Sequence, residues 1–268
     1  MNTSVVSVSK ALNEKREYEK LLTEYTDKLR KRSKEEYLDI FADRRNFKVD
    51  TLKRCGIFYI SEMEEMLLPE YLEIVEYLGV ISNTNKKPIF KDRYVIPILN
   101  KEGMVQNLVG YSFDANERYV YGTGMYYRRA DTLWGEENLE TAYKMGYAIL
   151  VEGITDAIRL REMGYENSFA MCGTHKSEYI IRSLNRCEHG IIRIPDRDNA
   201  GKKAVKGWEG NRHITINVYL QYKDIDEMCR ESEENREWFN SYMNGCIDWI
   251  KQDKHMGQQC ECEEITII

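Results

Sequence analysis

No two cysteines in this chain stand in a CxxC spacing, and no group of Cys and His has the separation of a zinc finger. The seven cysteines (Cys55, Cys172, Cys187, Cys229, Cys246, Cys260 and Cys262) are scattered and odd in number. That pattern fits free thiols in a reducing cytoplasm better than a disulfide framework. A long apolar run is also missing: nothing approaches the roughly 18 residues of a membrane span. The opening MNTSVVSVSKALNEKREY has no extended apolar stretch and no A-x-A site, so it is not read as a signal peptide. Excess positive charge is absent as well, since the net charge is -6. Global attraction to a polyanion is therefore excluded, and nucleic-acid contact would have to come from a local basic face. What remains is 268 residues with 42% hydrophobic and 31% charged side chains, an ordinary balance for a globular chain with one large domain or two small ones.

Apolar residues recur at helical spacing from Val8 to Phe41, through Leu12, Tyr18, Leu22, Tyr25 and Leu29. The basic run KLRKRSK, Lys28 to Lys34, reads as the solvated face of that helix, with Glu14, Glu17 and Glu19 upstream; phosphate contact is the alternative. Asn46 to Val80 reads as short helices. From Lys86 the period changes. Strands are expected over Arg93 to Leu99 and Met104 to Phe113, with a third piece at Glu117 to Tyr121. Lys86, Lys87, Lys91, Arg93, Arg118, Arg128 and Arg129 lie in this aromatic-rich stretch. A phosphate- and base-binding surface and a set of packed tyrosines with snorkelling arginines are both compatible with it.

From Tyr147 strands and helices alternate. Strands are expected at 148–151, 167–171, 190–194 and 213–220, with helices at 155–163, 175–184 and 199–207 between them. Such alternation predicts βαβ units and a parallel sheet, whose ligand site lies beyond the carboxyl ends of the strands. A helix over 232–250 and a tail without pattern follow.

The acidic residues fall at those strand ends. VEGITD puts Glu152 one residue past a strand and Asp156 one helical turn on. PDRDNAG puts Asp196 and Asp198 at i and i+2, and KDIDEM repeats the spacing with Asp224 and Asp226. A lone D-x-D is usually a solvated loop or an Asx turn. Three acidic motifs at three strand ends of one sheet are hard to explain that way. Six carboxylates at one edge call for a hard divalent cation with oxygen ligands, Mg²⁺ first.

VEGITD and PDRDNAG resemble the signature of the Toprim domain, which is shared by bacterial-type primases, topoisomerases, OLD-type nucleases and RecR proteins. FKDRYVIPILNKEGMVQNLVGYSFD is similar to the FRxRxxFPIxDxxGxxxGFxxR segment of DnaG-type primases. ERYVYGTG, MYYRRADTLWG, CGTH at 172–175 and KDIDEM stand where that family has its KYLN, F-x-K…LYG, Gly-Thr and DPDE pieces. Lys91 replaces an Arg of the pattern, Arg118 stands for a Lys, and Ile225 replaces a Pro.

The resemblance covers about Asn46 to Ile250. It implies an α/β catalytic core, with a Toprim-type parallel sheet flanked by helices and preceded by a helical and strand-rich subdomain. The expected divisions are 1–85, 86–145, 146–231 and 232–268. It implies a primase that makes short RNA primers on single-stranded DNA from ribonucleoside triphosphates in bacterial or phage-infected cytoplasm. Glu152, Asp196, Asp198, Asp224 and Asp226 would hold Mg²⁺ or Mn²⁺, and Asp156 would orient Glu152. Lys91, Arg93, Arg118, Arg128 and Arg129 would contact nucleotide or template. No G-x-x-x-x-G-K-[ST] marks a fused helicase. A replicative helicase and a zinc-binding module are thus expected as separate partners, and no zinc site is expected in this chain. A Toprim nuclease, or a non-catalytic DNA clamp, is the alternative reading.

Overall fold

The structure is a computed structural model and describes residues 3–62, 65–80, 89–123, 126–172, 177–197, 215–252 and 264–266. The chain divides into two units, 1–44 with 48–127, and 45–47 with 128–268. The helical start and most of the strand-rich stretch thus share one unit, and the acidic motifs lie in the other. No described helix is long and apolar enough to cross a membrane.

In the first unit α1 (Thr3–Arg32) and α2 (Glu36–Arg45) replace the single helix expected from the sequence. A break at Ser33, whose hydroxyl accepts from the Tyr59 N–H, separates them. Short helices α3 (Val49–Arg54) and α4 (Leu72–Tyr77) follow. Strands β1 (Phe58–Ile60), β2 (Arg93–Leu99), β3 (Val105–Tyr111) and β4 (Tyr119–Tyr121) form an antiparallel sheet in chain order. Strand residues alternate between the two faces of a sheet. Phe58, Val95 and Leu108 share a core with Tyr18, Leu22, Tyr25 and Leu29 of α1. These α1 positions follow the helical period read from the sequence, but Leu21 stays exposed. On the other face Tyr59, Tyr94, Tyr111 and Tyr119 stand in direct register, one per strand, and Phe41 of α2 packs on the central two. The ambiguous tyrosines are therefore largely a packed row. The charged residues of the run from Lys28 to Lys34, at the end of α1 and just past it, are solvated: Lys28 meets Glu70 at 3.0 Å and Lys34 meets Glu36 at 3.9 Å.

The second unit is built on a six-stranded sheet. Its strands are β5 (Leu133–Trp134), β6 (Tyr147–Val151), β7 (Ser168–Met171), β8 (Gly190–Ile194), β9 (Thr215–Tyr219) and β10 (Glu264–Thr266). The order is β10-β9-β8-β6-β7-β5, all parallel except β5, which pairs antiparallel with β7. The central strands are the expected ones. β5 and β10 were not expected: β5 is only two residues long, and the tail read as patternless supplies β10 at the edge.

Helices α5 (Leu139–Met145), α6 (Ile154–Glu162) and α7 (Glu178–Leu184) connect these strands, and α8 (Ile225–Glu231) and α9 (Glu233–Gln252) follow β9. α5 ends at Gly146, whose φ of 80° is left-handed and costs glycine nothing. One apolar layer joins Leu139 and Ala142 of α5, Ala148 and Leu150 of β6, Phe169 of β7, Ile180 and Leu184 of α7, and Ile191 of β8. The helix expected at 199–207, and the Gly, Thr and His of CGTH, lie outside the described residues.

Candidate functional site

The carboxyl ends of β6 and β8 are level, because Val151 pairs with Ile194. Glu152 therefore leaves one strand beside the point where Asp196 leaves the next, and both are half-buried. β9 follows on the far side of β8. Its outgoing loop is stitched to that of β8: the Arg197 N–H donates to the Lys223 carbonyl at 2.9 Å, and the Arg197 guanidinium reaches the Gln221 carbonyl. Asp224 ends this loop as the N-cap of α8, accepting from the Glu227 N–H at 2.8 Å.

Asp156 lies beneath this edge in the first turn of α6, 4% exposed. It accepts the Asp226 N–H at 3.0 Å. Gly153 makes room for it, since a Cβ there would collide with the Asp156 carboxylate. Burial pushes the Asp156 carboxyl well above the usual range; Asp224, Asp196 and Asp226 push the same way, and the Asp226 N–H opposes them. The structure thus brings Glu152, Asp156, Asp196 and Asp224 to one edge. Asp198 lies outside the described residues.

Asp226 has different partners from the other aspartates. The sequence spacing made it a metal ligand alongside Asp224. In the structure its side chain is 1% exposed and turned onto arginines. Arg159 donates Nη2 and Nε to Oδ1 at 2.9 and 3.3 Å, while Arg230 Nε at 3.1 Å and Arg45 Nη1 donate to Oδ2. The i, i+2 rule for extended chain fails because the helix starts between the two aspartates, which sends their side chains different ways.

The arginines themselves were not picked out by the sequence reading. Arg159 is 0% exposed. It also pairs with Glu162, donates to the Asn46 carbonyl at 2.8 Å and lies 3.8 Å from the Phe47 ring centre. Its signal was an arginine at a buried position of an amphipathic helix.

The predicted basic residues divide between the units. In the first, Lys91 is ion-paired with Glu62 at 2.8 Å, and the Arg93 guanidinium donates to the Glu117 carbonyl at 2.9 Å. Arg118 is exposed. In the second, Arg128 is exposed beside Asp131, and Arg129 Nε donates to the Cys172 carbonyl at the end of β7. Because Val151 also pairs with Ala170, Arg129 is anchored one strand from Glu152, on the same edge of the sheet.

Among the described residues, no three His, Cys, Asp or Glu side chains close into a ready-made metal cage. The donors at the edge are nonetheless all hard carboxylate oxygens that repel one another. Mg²⁺ is usually held by one or two carboxylates together with water and substrate phosphates, so an open set of this kind fits it.

A family model described as Toprim-like matches residues 149–229, the stretch that carries this edge. Among solved structures, the Aquifex aeolicus primase (zinc-binding and RNA polymerase domains) superposes with a TM-score of 0.71 at 23% identity, covering 84% of this chain and 61% of that one. A DnaG primase catalytic domain bound to ssDNA gives 0.71 at 18% identity, with 86% and 80% covered. The chain has the fold of a DnaG-type primase catalytic core. Curated relatives agree in sequence. The DNA primase of Rickettsia prowazekii is 29% identical over 175 residues, and that of Thermotoga maritima 26% over 234 residues, or 81% of this chain. The chain spans 29% of the first relative's length and 41% of the second's. The primase-core fold thus embraces both units, and its acidic edge falls within the Toprim-like match.

Proposed function

We propose that the chain is a primer-synthesising core: it joins ribonucleotides on a single-stranded DNA template. The observation that carries this reading is the extent of the match. The two primase structures named above cover 84% and 86% of the chain, so the antiparallel unit is shared together with the Toprim-like one. A Toprim nuclease has no need of the first unit. The ssDNA in one structural neighbour suggests the template class.

In this reading Glu152, Asp196, Asp224 and Asp198 hold Mg²⁺ or Mn²⁺, and Asp156 fixes Glu152 through the turn at Gly153. When bound, the cation neutralises triphosphate charge and favours loss of the primer hydroxyl proton. The 3′ oxygen attacks the α-phosphorus; the P–O bond to the β-phosphate breaks and pyrophosphate leaves. Glu152 takes the hydroxyl proton. In the same reading Arg128 and Arg129 contact nucleotide phosphates, and Lys91, Arg93 and Arg118 contact template or nucleotide on the first unit. Binding to single-stranded DNA falls as salt rises. A replicative helicase and a zinc-binding module are the protein partners of this reading, in bacterial or phage-infected cytoplasm.

The test is incubation with single-stranded DNA, labelled ribonucleotides and Mg²⁺ or Mn²⁺, with and without a zinc module and helicase from a primase of this fold. Short labelled RNA that disappears in Asp196→Ala supports the reading. Shortened DNA instead supports the nuclease. Binding without either product, with the added partners present, points to a clamp.

A further inference from the structure

We infer that Asp226, with Arg159, Arg45 and Arg230, is a positioning device for the acidic edge and takes no metal on its own carboxylate. The inference rests on the reading of that edge as a metal site. A carboxylate offers about four lone-pair directions. Four guanidinium N–H groups already occupy the two oxygens of Asp226: Nη2 and Nε of Arg159, Nη1 of Arg45 and Nε of Arg230. A divalent cation there would have to displace a buried guanidinium and sit beside the remaining ones. Coulomb's law opposes this at a position only 1% exposed.

What Asp226 offers the edge is its backbone. Its N–H donates to Asp156 Oδ1 at 3.0 Å. Arg159 lies one helical turn after Asp156 on α6. The two helices α6 and α8 are therefore tied twice, Asp156 to the Asp226 N–H and Arg159 to the Asp226 carboxylate. Asp156 in turn lies over Gly153, next to Glu152. The order of constraint runs from Arg159, Arg45 and Arg230 to Asp226, then to Asp156, then to the turn that sets Glu152. Two aspartates with a single residue between them thus divide the work: Asp224 faces the edge, and Asp226 holds the scaffold under it.

The full chain is compared with Asp226→Asn, Arg230→Gln and Arg159→Lys. Three quantities are read: the unfolding midpoint in EDTA, Mn²⁺ affinity by electron paramagnetic resonance, and the Mg²⁺ concentration for half-maximal primer synthesis. Asp226→Asn is expected to lower the midpoint in EDTA, where no metal contributes. Both it and Arg230→Gln weaken Mn²⁺ binding about tenfold, the size of effect typical of residues that orient ligands. Their half-saturating Mg²⁺ rises while the rate at saturating Mg²⁺ recovers, and Arg159→Lys falls between them and wild type. Arg230, 37% exposed, keeps the test open if Asp226→Asn does not fold.

Loss of Mn²⁺ with an unchanged midpoint in EDTA would make Asp226 a ligand and overturn the inference. A lowered midpoint with wild-type Mn²⁺ affinity would make the cluster mere scaffold and also overturn it. Absence of primer synthesis by wild type would count against the functional reading alone, because the Mn²⁺ and midpoint measurements still decide this one.

Discussion

The backbone N–H of Arg197 donates to the carbonyl of Lys223 at 2.9 Å, joining the loop that carries Asp196 to the loop that ends in Asp224. The two loops are thus joined through the backbone, and neither aspartate can move off by its loop drifting away alone. Asp224 also caps α8 through Oδ1, and asparagine caps as well as aspartate. Asp224→Asn therefore removes charge and keeps the cap, while Asp224→Ala removes both. Both variants are expected to lose at least tenfold in Mn²⁺ affinity. In EDTA the Asn variant unfolds at or above the wild-type temperature, and the Ala variant is less stable than the Asn variant by about 1 kcal/mol. Equal stability of the two in denaturant titrations would contradict the capping role.

Phe41 makes ring contacts with Tyr94, Tyr111 and Phe113 and is 0% exposed. It closes a tyrosine row that crosses all four strands of the first sheet. Removing a ring from such a site loses its burial and leaves a cavity that the paired strands cannot fill. Phe41→Ala is expected to cost about 3–5 kcal/mol. Leu72→Ala, at a position 57% exposed, stays within about 0.5 kcal/mol of wild type. Guanidinium titrations of the two variants check both values.

The strand ends that organise the second unit were legible because short buried runs alternate with helix patterns, and Val151 and Ile194 terminate where the run of apolar residues stops. The places of Glu152 and Asp196 just past those strands follow from that alone. Asp226 did not, because its role depends on where α8 begins and on an arginine 67 residues away. Arg45 is farther still, at a separation of 181 residues. No local pattern encodes a pairing at such distance. β5 was missed for a different reason: two residues carry too little periodicity to register as a strand. In the first unit the sequence showed tyrosines and arginines intermixed. Only the strand register distinguishes a packed row from a stacking surface.

The described cysteines separate by burial. Cys187 and Cys229 are 0% exposed, and burial pushes both thiols up to about 12. Cys55 is half-buried and not covered in the same way. The thiolate is the reactive form, so at mildly alkaline pH the two buried thiols are expected to alkylate at least about a hundredfold more slowly than Cys55. Iodoacetamide labelling followed by peptide mass mapping, native and in denaturant, gives the comparison. Fast native labelling of Cys187 would show that the layer between α5 and α7 opens readily.

Glu19 gives the first unit a pH dependence whose sign is fixed. The residue is 5% exposed on α1 and accepts from Asn100 Nδ2 at 3.0 Å. Burial raises its carboxyl pKa; Lys15, at 3.4 Å and itself 41% exposed, and the Asn100 amide pull the other way but by less. A carboxyl held above its unfolded value binds its proton more tightly in the folded state. Its contribution to stability is fully present below the unfolded pKa of about 4.3 and is lost as pH rises through the folded value. Glu19→Gln keeps an oxygen for Asn100 and has no charge to bury. It is expected to unfold at a higher temperature than wild type at neutral pH, with the difference shrinking toward zero below about pH 4. Thermal scans of both proteins across that range measure the difference directly. A variant less stable at neutral pH would mean that the Lys15 pair outweighs the burial of Glu19.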